Sequence, residues 1–481
     1  MSTYGNLLAI LWPESILEIA SLAILVVDLG FMRRASSAAR MSVASALGSL
    51  GALTALLWLL MHTGNIAVMG GALVTNSSVV AAQVGIMILT ALVLLLGVST
   101  RFTRNPGEYV ALVLLATTGM LLVAASRDLL IIFVALELLS LSLYVLSAFS
   151  KHSAASSEAA LKYYLFGGMS AAFMLFGFSY LYGITGTTSL QAIAASLTSA
   201  SLAPITLVAL VLVAAGLGFK VAAAPFHIWA PDTYLGAPTP VAALIASGSK
   251  VASFAVLIAV TAALAPAWGW TETLLWMAGA SIVLGNLAAL VQSSVRRILA
   301  YSAIAHAGYM LLGIAAHTFA SDQAVLLYAL TYALTTVGAF GVVAIVERDA
   351  GSDRLDAFAG LSARSPLLAA TLLVFLLSLA GIPPLVGFWV KFQMFASVLR
   401  SPLAASWGIG MVTLAIAGSA VSLYYYLQVL KCAWVTPGSS RLAVRLAIQP
   451  RELLLLVLIA IAVILLGIFP GWLLQWIPVV G

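Results

Sequence analysis

Long apolar segments recur along the whole chain and constrain its fold more than any other feature of the sequence. A helix needs roughly 20 apolar residues to cross the hydrocarbon core of a bilayer, and about fourteen segments reach that length. They cover residues 7–31, 41–61, 78–99, 108–126, 128–149, 158–183, 204–235, 239–263, 272–293, 297–317, 322–347, 366–399, 404–433 and 451–474. The sequence therefore predicts an all-α polytopic membrane protein with about 14 transmembrane helices.

The composition excludes a water-soluble fold. Of the 481 residues, 63% are hydrophobic and only 7% are charged, whereas soluble domains are roughly one quarter charged. The single cysteine, Cys432, excludes an intrachain disulfide and a site built from several cysteines. The formal charge of +6 comes from bases in short loops between apolar segments. We therefore expect the lipid bilayer as a partner, and no nucleic acid.

Two apolar segments, 204–235 and 366–399, are too long for one straight helix and contain clustered prolines. The first includes AAAPFHIWAP and the second includes GIPPLVGF. Proline removes a backbone donor and clashes with the preceding turn. Broken backbone at membrane depth is tolerated only where it is buried in protein or lines a wet cavity. The seventh and twelfth helices are therefore predicted to be discontinuous.

The two broken segments are five helices apart, which favours a repeated five-helix unit. Because five is odd, the second copy must lie upside down in the membrane, as in many transporters. We expect an N-terminal three-helix segment (1–107), a first half with helices 4–8 (108–263), an inverted half with helices 9–13 (272–433) and a C-terminal helix 14 (451–481).

The basic residues predict the orientation of the chain in the membrane. Loops after odd-numbered segments hold 15 of the 21 Lys and Arg residues, and loops after even-numbered segments hold only Arg127 and Arg400. Lys and Arg concentrate in cytoplasmic loops. Both termini are therefore expected on the outer side.

The remaining four lysines, Lys162, Lys220, Lys250 and Lys391, lie inside apolar segments. Each charge near a helix centre costs roughly 2.5–3.5 kcal/mol on insertion scales. A long stem can instead carry the ammonium to the interface. That explanation suits Lys162, which lies near a cytoplasmic end, as well as a functional one does.

Lys250 lies about eleven residues into the eighth segment, too deep for easy escape to the interface. Ser247 and Ser253 flank it at helical spacing and share its face. Serines at such positions also act as helix–helix contacts. With a lysine between them, they indicate a hydrated stripe.

Lys220 lies midway along the seventh segment, and His227 follows it by seven residues. A helix break nearby would free carbonyl groups that can solvate an ammonium. Glu137 lies within the fifth segment, with Ser140 and Tyr144 on its face. A carboxylate inside a membrane needs a partner, and Lys220 is the expected one. A static structural ion pair is the alternative.

Lys391 follows Pro384 by seven residues, a position that we interpret as analogous to that of Lys220 in the other half. His306 lies mid-helix between Ser302 and Tyr309. It is either a neutral histidine satisfied by hydroxyl groups or a proton relay. Two isolated histidines are weak evidence for a haem.

Several ionisable groups at mid-depth on different helices suggest a proton path. Burial favours the neutral form of an amine, and a neighbouring carboxylate favours its charged form. A carboxylate that moved closer or farther would therefore load or release a proton. Motifs for nucleotides, flavins, metal clusters or a nucleophile elbow are absent from the sequence. Energy must come from an ion gradient or from a partner.

Four motifs, GFKVAAAPFHIWAPDTYLGAPTPVAALIASGSK, LAYSAIAHAGYM, LELLSLSLYVL and SLAGIPPLVGFWVKF, resemble the antiporter-like proton-channel subunits of respiratory complex I. The resemblance runs over roughly residues 108–433. The opening LWPESILEIASLAILVVDL and the total length are most similar to the N-type subunits. The resemblance implies inverted five-helix repeats, broken helices 7 and 12 and a hydrated polar axis.

The resemblance also implies roles for single residues. Glu137 would pair with Lys220, Lys250 would be the central relay, and Lys391 would lead to the outer side. Lys162 and His227 match positions regarded as functional in that family, and His306 falls where it often has a polar residue.

This resemblance implies a proton-translocating membrane-arm subunit of NADH:quinone oxidoreductase in the bacterial inner membrane. The chain itself would hold no cofactor, because NADH, FMN, iron–sulfur clusters and quinone would be bound by partner subunits. Its neighbours would be an antiporter-like M-type subunit and small K- and J-type subunits. The alternatives are a subunit of a multi-subunit cation/proton antiporter and a passive membrane scaffold. The cost of four buried lysines disfavours the scaffold.

Overall fold

The chain folds into a bundle of helices. The computed structural model describes residues 3–62, 64–100, 102–199, 204–267, 269–438, 446 and 448–471. The helices are α1 (Thr3–Val26), α2 (Ser37–Met61), α3 (Ser77–Gly97), α4 (Pro106–Ala125), α5 (Leu129–Ser147), α6 (Ala154–Thr185), α7 (Leu190–Ser199), α8 (Pro204–Val221), α9 (Trp229–Gly236), α10 (Thr239–Ala246), α11 (Gly248–Leu264), α12 (Trp270–Leu290), α13 (Val295–Ala315), α14 (Phe319–Ala350), α15 (Leu361–Arg364), α16 (Pro366–Ala380), α17 (Val386–Leu399), α18 (Gly408–Trp434) and α19 (Pro450–Ile468).

The predicted all-α polytopic fold is confirmed. Within the described residues, 13 helices are long and apolar enough to cross a membrane, when α10 and α11 are taken as one. The shorter apolar helices α16 and α17 together occupy the twelfth predicted segment. Each of the fourteen predicted segments therefore corresponds to a helix or a broken helix, and the chain is a multi-pass membrane protein.

Besides α15, two short elements of the described residues lie outside the predicted segments, because neither forms a long apolar segment. A hairpin of β1 (Ile66–Val68) and β2 (Leu73–Thr75) connects α2 to α3. Its Val68 and Leu73 pack on Ile10 of α1, which closes one end of the bundle. The other element is α7, which precedes α8.

The seventh segment is interrupted between α8 and α9, over residues 222–228. The indole N–H of Trp229 donates a hydrogen bond to the Phe219 carbonyl (3.1 Å) at the end of α8. The backbone N–H of Ala224 donates to Ser281 of α12 (2.8 Å). Backbone groups that the proline of this segment releases from the helical pattern are thus bonded inside the protein, as membrane depth requires.

The twelfth segment is interrupted between α16 and α17. Gly381 ends α16 in the left-handed conformation (φ 88°), which glycine adopts without steric cost. At Gly387 the two half-helices meet so closely that a Cβ atom would lie 1.8 Å from the Ser378 carbonyl oxygen. The prediction that the prolines mark a break at this place agrees with the described helix ends.

A third interruption, which was not predicted, lies at Ser247 between α10 and α11, inside the segment predicted over 239–263. Its hydroxyl group donates to the Ala243 carbonyl (2.6 Å) in the preceding turn. A serine that bonds back to its own helix weakens the regular pattern, and Gly248 follows it. The interruption lies three residues before Lys250.

The most enclosed helices are α11, α13 and α14, which lie at the centre of the bundle. Within its apolar window, α13 is 94% buried. Arg101, Arg441 and Arg445, which entered the orientation argument, lie outside the described residues, as do residues 472–481 of the predicted C-terminal segment. The four-part division and the inverted repeat stay predictions.

Candidate functional site

Three of the predicted lysines are buried in the bundle. Exposure is 8% for Lys220 in α8, 2% for Lys250 in α11 and 5% for Lys391 in α17. A buried amine needs hydrogen-bond or charge partners, because burial otherwise costs it the solvation that water supplies. The three lysines satisfy this need in three different ways.

Lys220 contacts two polar side chains of α5, its predicted partner Glu137 and also Ser140. Its Nζ donates to the Ser140 hydroxyl (2.6 Å) and lies 3.6 Å from Glu137 Oε1. It also lies 5.6 Å from the centre of the Phe219 ring. The structure therefore brings Glu137 and Lys220 together. The expected solvation of Lys220 by carbonyl groups of the break is not observed, because Lys220 points to α5 instead.

Lys250 has no acidic partner among the ion pairs of the described residues. Its Nζ donates to the Ala303 carbonyl of α13 (2.7 Å) and lies 5.9 Å from the centre of the Tyr332 ring. Ser253, like Ser247, donates its hydroxyl hydrogen within its own helix. The predicted serine stripe therefore does not solvate the amine, and the contact with α13 does.

His306 lies in α13, buried among tyrosines. Its Nδ1 is 2.8 Å from the Tyr328 hydroxyl of α14, and its Nε2 is 3.4 Å from the Tyr426 hydroxyl of α18. Tyr426 in turn forms a short hydrogen bond with Ser302. Tyr332 packs its ring 4.8 Å from the imidazole. The structure gives His306 hydroxyl partners, and its role as a proton relay stays a prediction.

Lys391 is held at the break of the twelfth segment. Its Nζ donates to the carbonyls of Leu379 (2.9 Å) and Ala380 (3.1 Å) and to the Ser419 hydroxyl (2.9 Å). These carbonyls end α16, where a helix leaves acceptors free and carries negative partial charge. Lys391 lies after its break, whereas Lys220 lies before its own, so the predicted analogy of position is wrong.

One face of α13 connects Lys250 to Lys391. Ala303, His306 and Tyr309 follow one another at three-residue spacing, which places them along one side of the helix. Lys250 contacts the first, and the Nζ of Lys391 lies 5.3 Å from the ring centre of the third. His306 lies between the two lysines.

A small cavity of about 10 Å³ lies beside this face. It is lined by His306 and Lys391 together with Tyr328, Tyr332 and Ser378. A cavity needs roughly 10–15 Å³ and several polar partners to hold one water molecule. The cavity reaches the lower end of that range, and its lining is partly polar.

Lys162 lies outside this axis. Its Nζ contacts Asp232 of α9 and Glu158 of its own helix, both at 2.7 Å, and its side chain is 40% exposed. Asp232 also binds Arg297 of α13 (2.9 Å). The lysine is therefore part of a surface cluster that joins α6, α9 and α13.

His227 lies in the break between α8 and α9 and is half-buried. Its Nδ1 has no hydrogen-bond partner among the described residues. No hydrogen bond or ion pair of the described chain joins it to Lys220 or Glu137. The structure brings Glu137 to Lys220 and connects Lys250, His306 and Lys391 by way of α13, whereas His227 and Lys162 lie apart from both groups.

Sequence reasoning missed the tyrosines around His306 and the acid that binds Lys162. Tyr328 and Tyr332 are four residues apart in an otherwise apolar segment, a spacing that puts two hydroxyl groups on one helix face. That spacing was the available signal. Asp232, directly after a proline in the second half of a broken helix, was the other.

The described residues include no group of three His, Cys, Asp or Glu side chains that could hold a metal ion. The ionisable groups of the axis are instead paired with hydroxyls, carbonyls and one carboxylate. Amines, imidazoles and carboxylates can each bind and release a proton. The fold and the site together define a polytopic membrane protein with buried ionisable groups in its apolar interior.

Comparison with known proteins narrows this class. Residues 126–417 match the family described as NADH:quinone oxidoreductase/Mrp antiporter, TM. The NADH-quinone oxidoreductase subunit N 2 of Acidobacterium capsulatum is 47% identical, over 99% of this chain and 99% of that protein. The chain therefore belongs to the NADH:quinone oxidoreductase/Mrp antiporter family and, within it, to the N subunits, as its opening predicted.

Solved structures agree with this assignment. A chain of respiratory complex I from Thermus thermophilus superimposes with a TM-score of 0.82 and 35% identity, covering 96% of this chain and 98% of that one. A chain of the Mrp complex from Dietzia has a TM-score of 0.81 but only 21% identity, over 96% of each chain. The second likeness concerns the fold alone.

Proposed function

We propose that this chain is a proton-translocating membrane-arm subunit of an NADH:quinone oxidoreductase. The observation that carries the proposal is the set of buried lysines, Lys220, Lys250 and Lys391, each with polar partners and two of them connected by one face of α13. Keeping three amines inside an apolar bundle costs stability, which favours a functional role for them. The N-subunit relatives support the choice of complex.

Glu137 controls the charge of Lys220. The carboxylate favours the ammonium form at 3.6 Å, and its withdrawal would favour release of the proton. The Ser140 hydroxyl, which contacts the same amine, keeps it hydrogen-bonded in either form. A change in the distance between α5 and α8 would therefore load or unload Lys220.

Lys250 is the next carrier, and α11 packs against α8. The described residues provide no direct hydrogen bond between the amines of Lys220 and Lys250, so water must connect them. From Lys250, protons pass along α13 by way of His306 and its tyrosine partners to Lys391. The carbonyls at the end of α16 favour the charged form of Lys391 and hold the proton there until release.

Lys162 and His227 act outside this route. The cluster of Lys162 with Asp232 and Glu158 lies at the cytoplasmic end of α6 in the proposed orientation, where its charges attract and exchange protons with water. His227, with a buried Nδ1 that has no partner, can accept a proton at the broken backbone beside α9.

The redox chemistry belongs to partner subunits. NADH, FMN, iron–sulfur clusters and quinone would be held there, and this chain would contribute only proton transfer. We expect M-type and small K- and J-type subunits as its membrane neighbours. It would lie in the bacterial inner membrane, with both termini on the outer side.

The second candidate is a subunit of a multi-subunit cation/proton antiporter, which the shared family and the Mrp fold favour. Gentle solubilisation followed by affinity purification and mass spectrometry separates the two. Flavin and iron–sulfur subunits that co-purify with NADH:quinone activity support the first function. A preparation that contains only antiporter subunits, and exchanges cations for protons without NADH, contradicts it.

A further inference from the structure

A large cavity lies at the end of the bundle where the even-numbered segments begin, apart from the lysine axis. Its volume is about 1190 Å³. Five helices begin at its wall, and they contribute Ser37 (α2), Ala155 (α6), Thr239 (α10), Arg296 (α13) and Arg451 (α19). The first turn of a helix carries unpaired N–H groups and positive partial charge. The converging helix starts make the cavity attractive to an anion.

Side-chain charges in the wall act in the same direction. Among the described residues, four arginines line the cavity, namely Arg104, Arg296, Arg348 and Arg451, together with one acid, Glu347. Glu347 pairs with Arg296 and Glu452 pairs with Arg348 from outside the lining, so the excess of positive charge comes from Arg104 and Arg451.

Two of these arginines are already paired. Arg296 binds Glu347 (2.9 Å), and Arg348 binds both carboxylate oxygens of Glu452 (2.7 and 2.8 Å). Glu347 also accepts a hydrogen bond from Thr239 (2.5 Å). These ion pairs hold the wall of the cavity in place and occupy the carboxylates of Glu347 and Glu452.

Arg104 and Arg451 remain exposed, and neither belongs to an ion pair of the described residues. Within the part of the chain that the structure describes, the Arg451 side chain donates to the Ser99 hydroxyl alone, at 3.3 Å. Two guanidinium groups without acidic partners therefore border the cavity. Arginine binds phosphate oxygens through two parallel N–H groups, a geometry that other cations lack.

The rest of the lining combines hydroxyl groups with apolar side chains. The hydroxyl-bearing residues are Ser36, Ser37, Ser42, Ser99, Thr100, Thr103, Ser150, Ser153 and Thr239. The apolar ones include Met41, Val98, Phe102 and Leu235. This mixture suits an anion that carries both ester oxygens and hydrocarbon. A free phosphate ion would leave most of the volume unused.

We propose that this cavity binds the phosphate-bearing headgroup of an anionic phospholipid. Its wall is built from the first turns of membrane helices, which places it at the depth of the lipid headgroups. Basic pockets between helices at the cytoplasmic surface recognise such headgroups. The bound lipid would join α2 and α3 to α14 and α19. The proposal does not depend on the function proposed above.

The test removes the two unpaired guanidinium groups with the double variant Arg104→Gln, Arg451→Gln. The matched control is Arg33→Gln, Arg34→Gln, which removes two exposed arginines that do not line the cavity. Each purified complex is incubated with phosphatidylglycerol or phosphatidylcholine and analysed by native mass spectrometry. We expect the double variant to bind phosphatidylglycerol at least about tenfold more weakly, because charge-assisted hydrogen bonds are lost. We expect the wild-type complex and the control to retain one more phosphatidylglycerol molecule than the double variant does.

Three results would overturn the proposal. They are equal phosphatidylglycerol retention in the double variant, equal retention of phosphatidylcholine by wild type, and displacement of the lipid by millimolar inorganic phosphate alone. In the wild-type complex, a phosphatidylglycerol analogue with a photoreactive headgroup should label peptides that contain Ser99 or Thr239. Labelling confined to other surfaces would refute the proposal even if the double variant failed to assemble.

Discussion

Replacing Glu137 with glutamine tests the control of Lys220 by a carboxylate. The substitution preserves shape and removes only the negative charge 3.6 Å from Nζ. With an effective dielectric constant of roughly 20, two unit charges at that distance attract by about 4–5 kcal/mol. Glu137 Oε1 accepts no hydrogen bond from the described residues, and an amide oxygen that moved slightly closer to Nζ would gain roughly 1–1.5 kcal/mol from one.

The net loss is therefore about 3 kcal/mol, which lowers the equilibrium ratio of charged to neutral Lys220 by roughly a hundredfold at 1.4 kcal/mol per factor of ten. If loading of this amine limits transport, we expect NADH-driven proton uptake in proteoliposomes to fall at least tenfold. Dye quenching measures the uptake, and NADH consumption is followed in the same sample. Assembly of the complex is checked on a native gel.

Glu272→Gln is the matched control, because Glu272 is exposed in the first turn of α12 and belongs to no ion pair of the described residues. It should leave both rates unchanged. If Glu137→Gln pumped protons at the wild-type rate and at the wild-type ratio to NADH, the electrostatic reasoning would be refuted.

Three further substitutions test other parts of the structure. Tyr328→Phe removes the hydroxyl group 2.8 Å from His306 Nδ1 and should slow proton uptake several-fold at a stability cost of about 1 kcal/mol; an unchanged uptake rate would exclude this link from the route. Gly387→Ala forces a Cβ atom against the Ser378 carbonyl and should lower the Tm of the complex by several degrees, so an unaltered Tm would mean that the half-helices separate freely. Ala222→Gly removes the strain of an alanine in the left-handed conformation (φ 57°), which is roughly 1–2 kcal/mol, and adds an entropy cost of roughly 0.5–1 kcal/mol. We therefore expect an unchanged or slightly raised Tm, and a Tm lowered by several degrees would contradict this balance.

Features that depend on the residues of one short segment could be predicted from the sequence. The helices follow from segment length, and the breaks of the seventh and twelfth segments follow from clustered prolines. The contact of Glu137 with Lys220 could be predicted because acidic and basic side chains inside a membrane bundle pair with each other and so offset the cost of leaving water.

Features that depend on packing between distant segments could not be predicted. The interruption at Ser247 has no proline to mark it. Nothing near Lys391 in the sequence points to Ser419 as its partner. Because α13 is buried on nearly every side, it has no amphipathic pattern to show that His306 faces Tyr328 rather than lipid.

The central claim is that buried amines of the axis carry protons, and the ratio of protons pumped to NADH oxidised tests it most directly. Lys250→Met keeps the length of the side chain and removes the amine that contacts Ala303. Lys431→Met, at an exposed position in α18, is the control. The account predicts a lower ratio or a complete loss of pumping for Lys250→Met alone. A fully assembled Lys250→Met complex with the wild-type rate and ratio would contradict it.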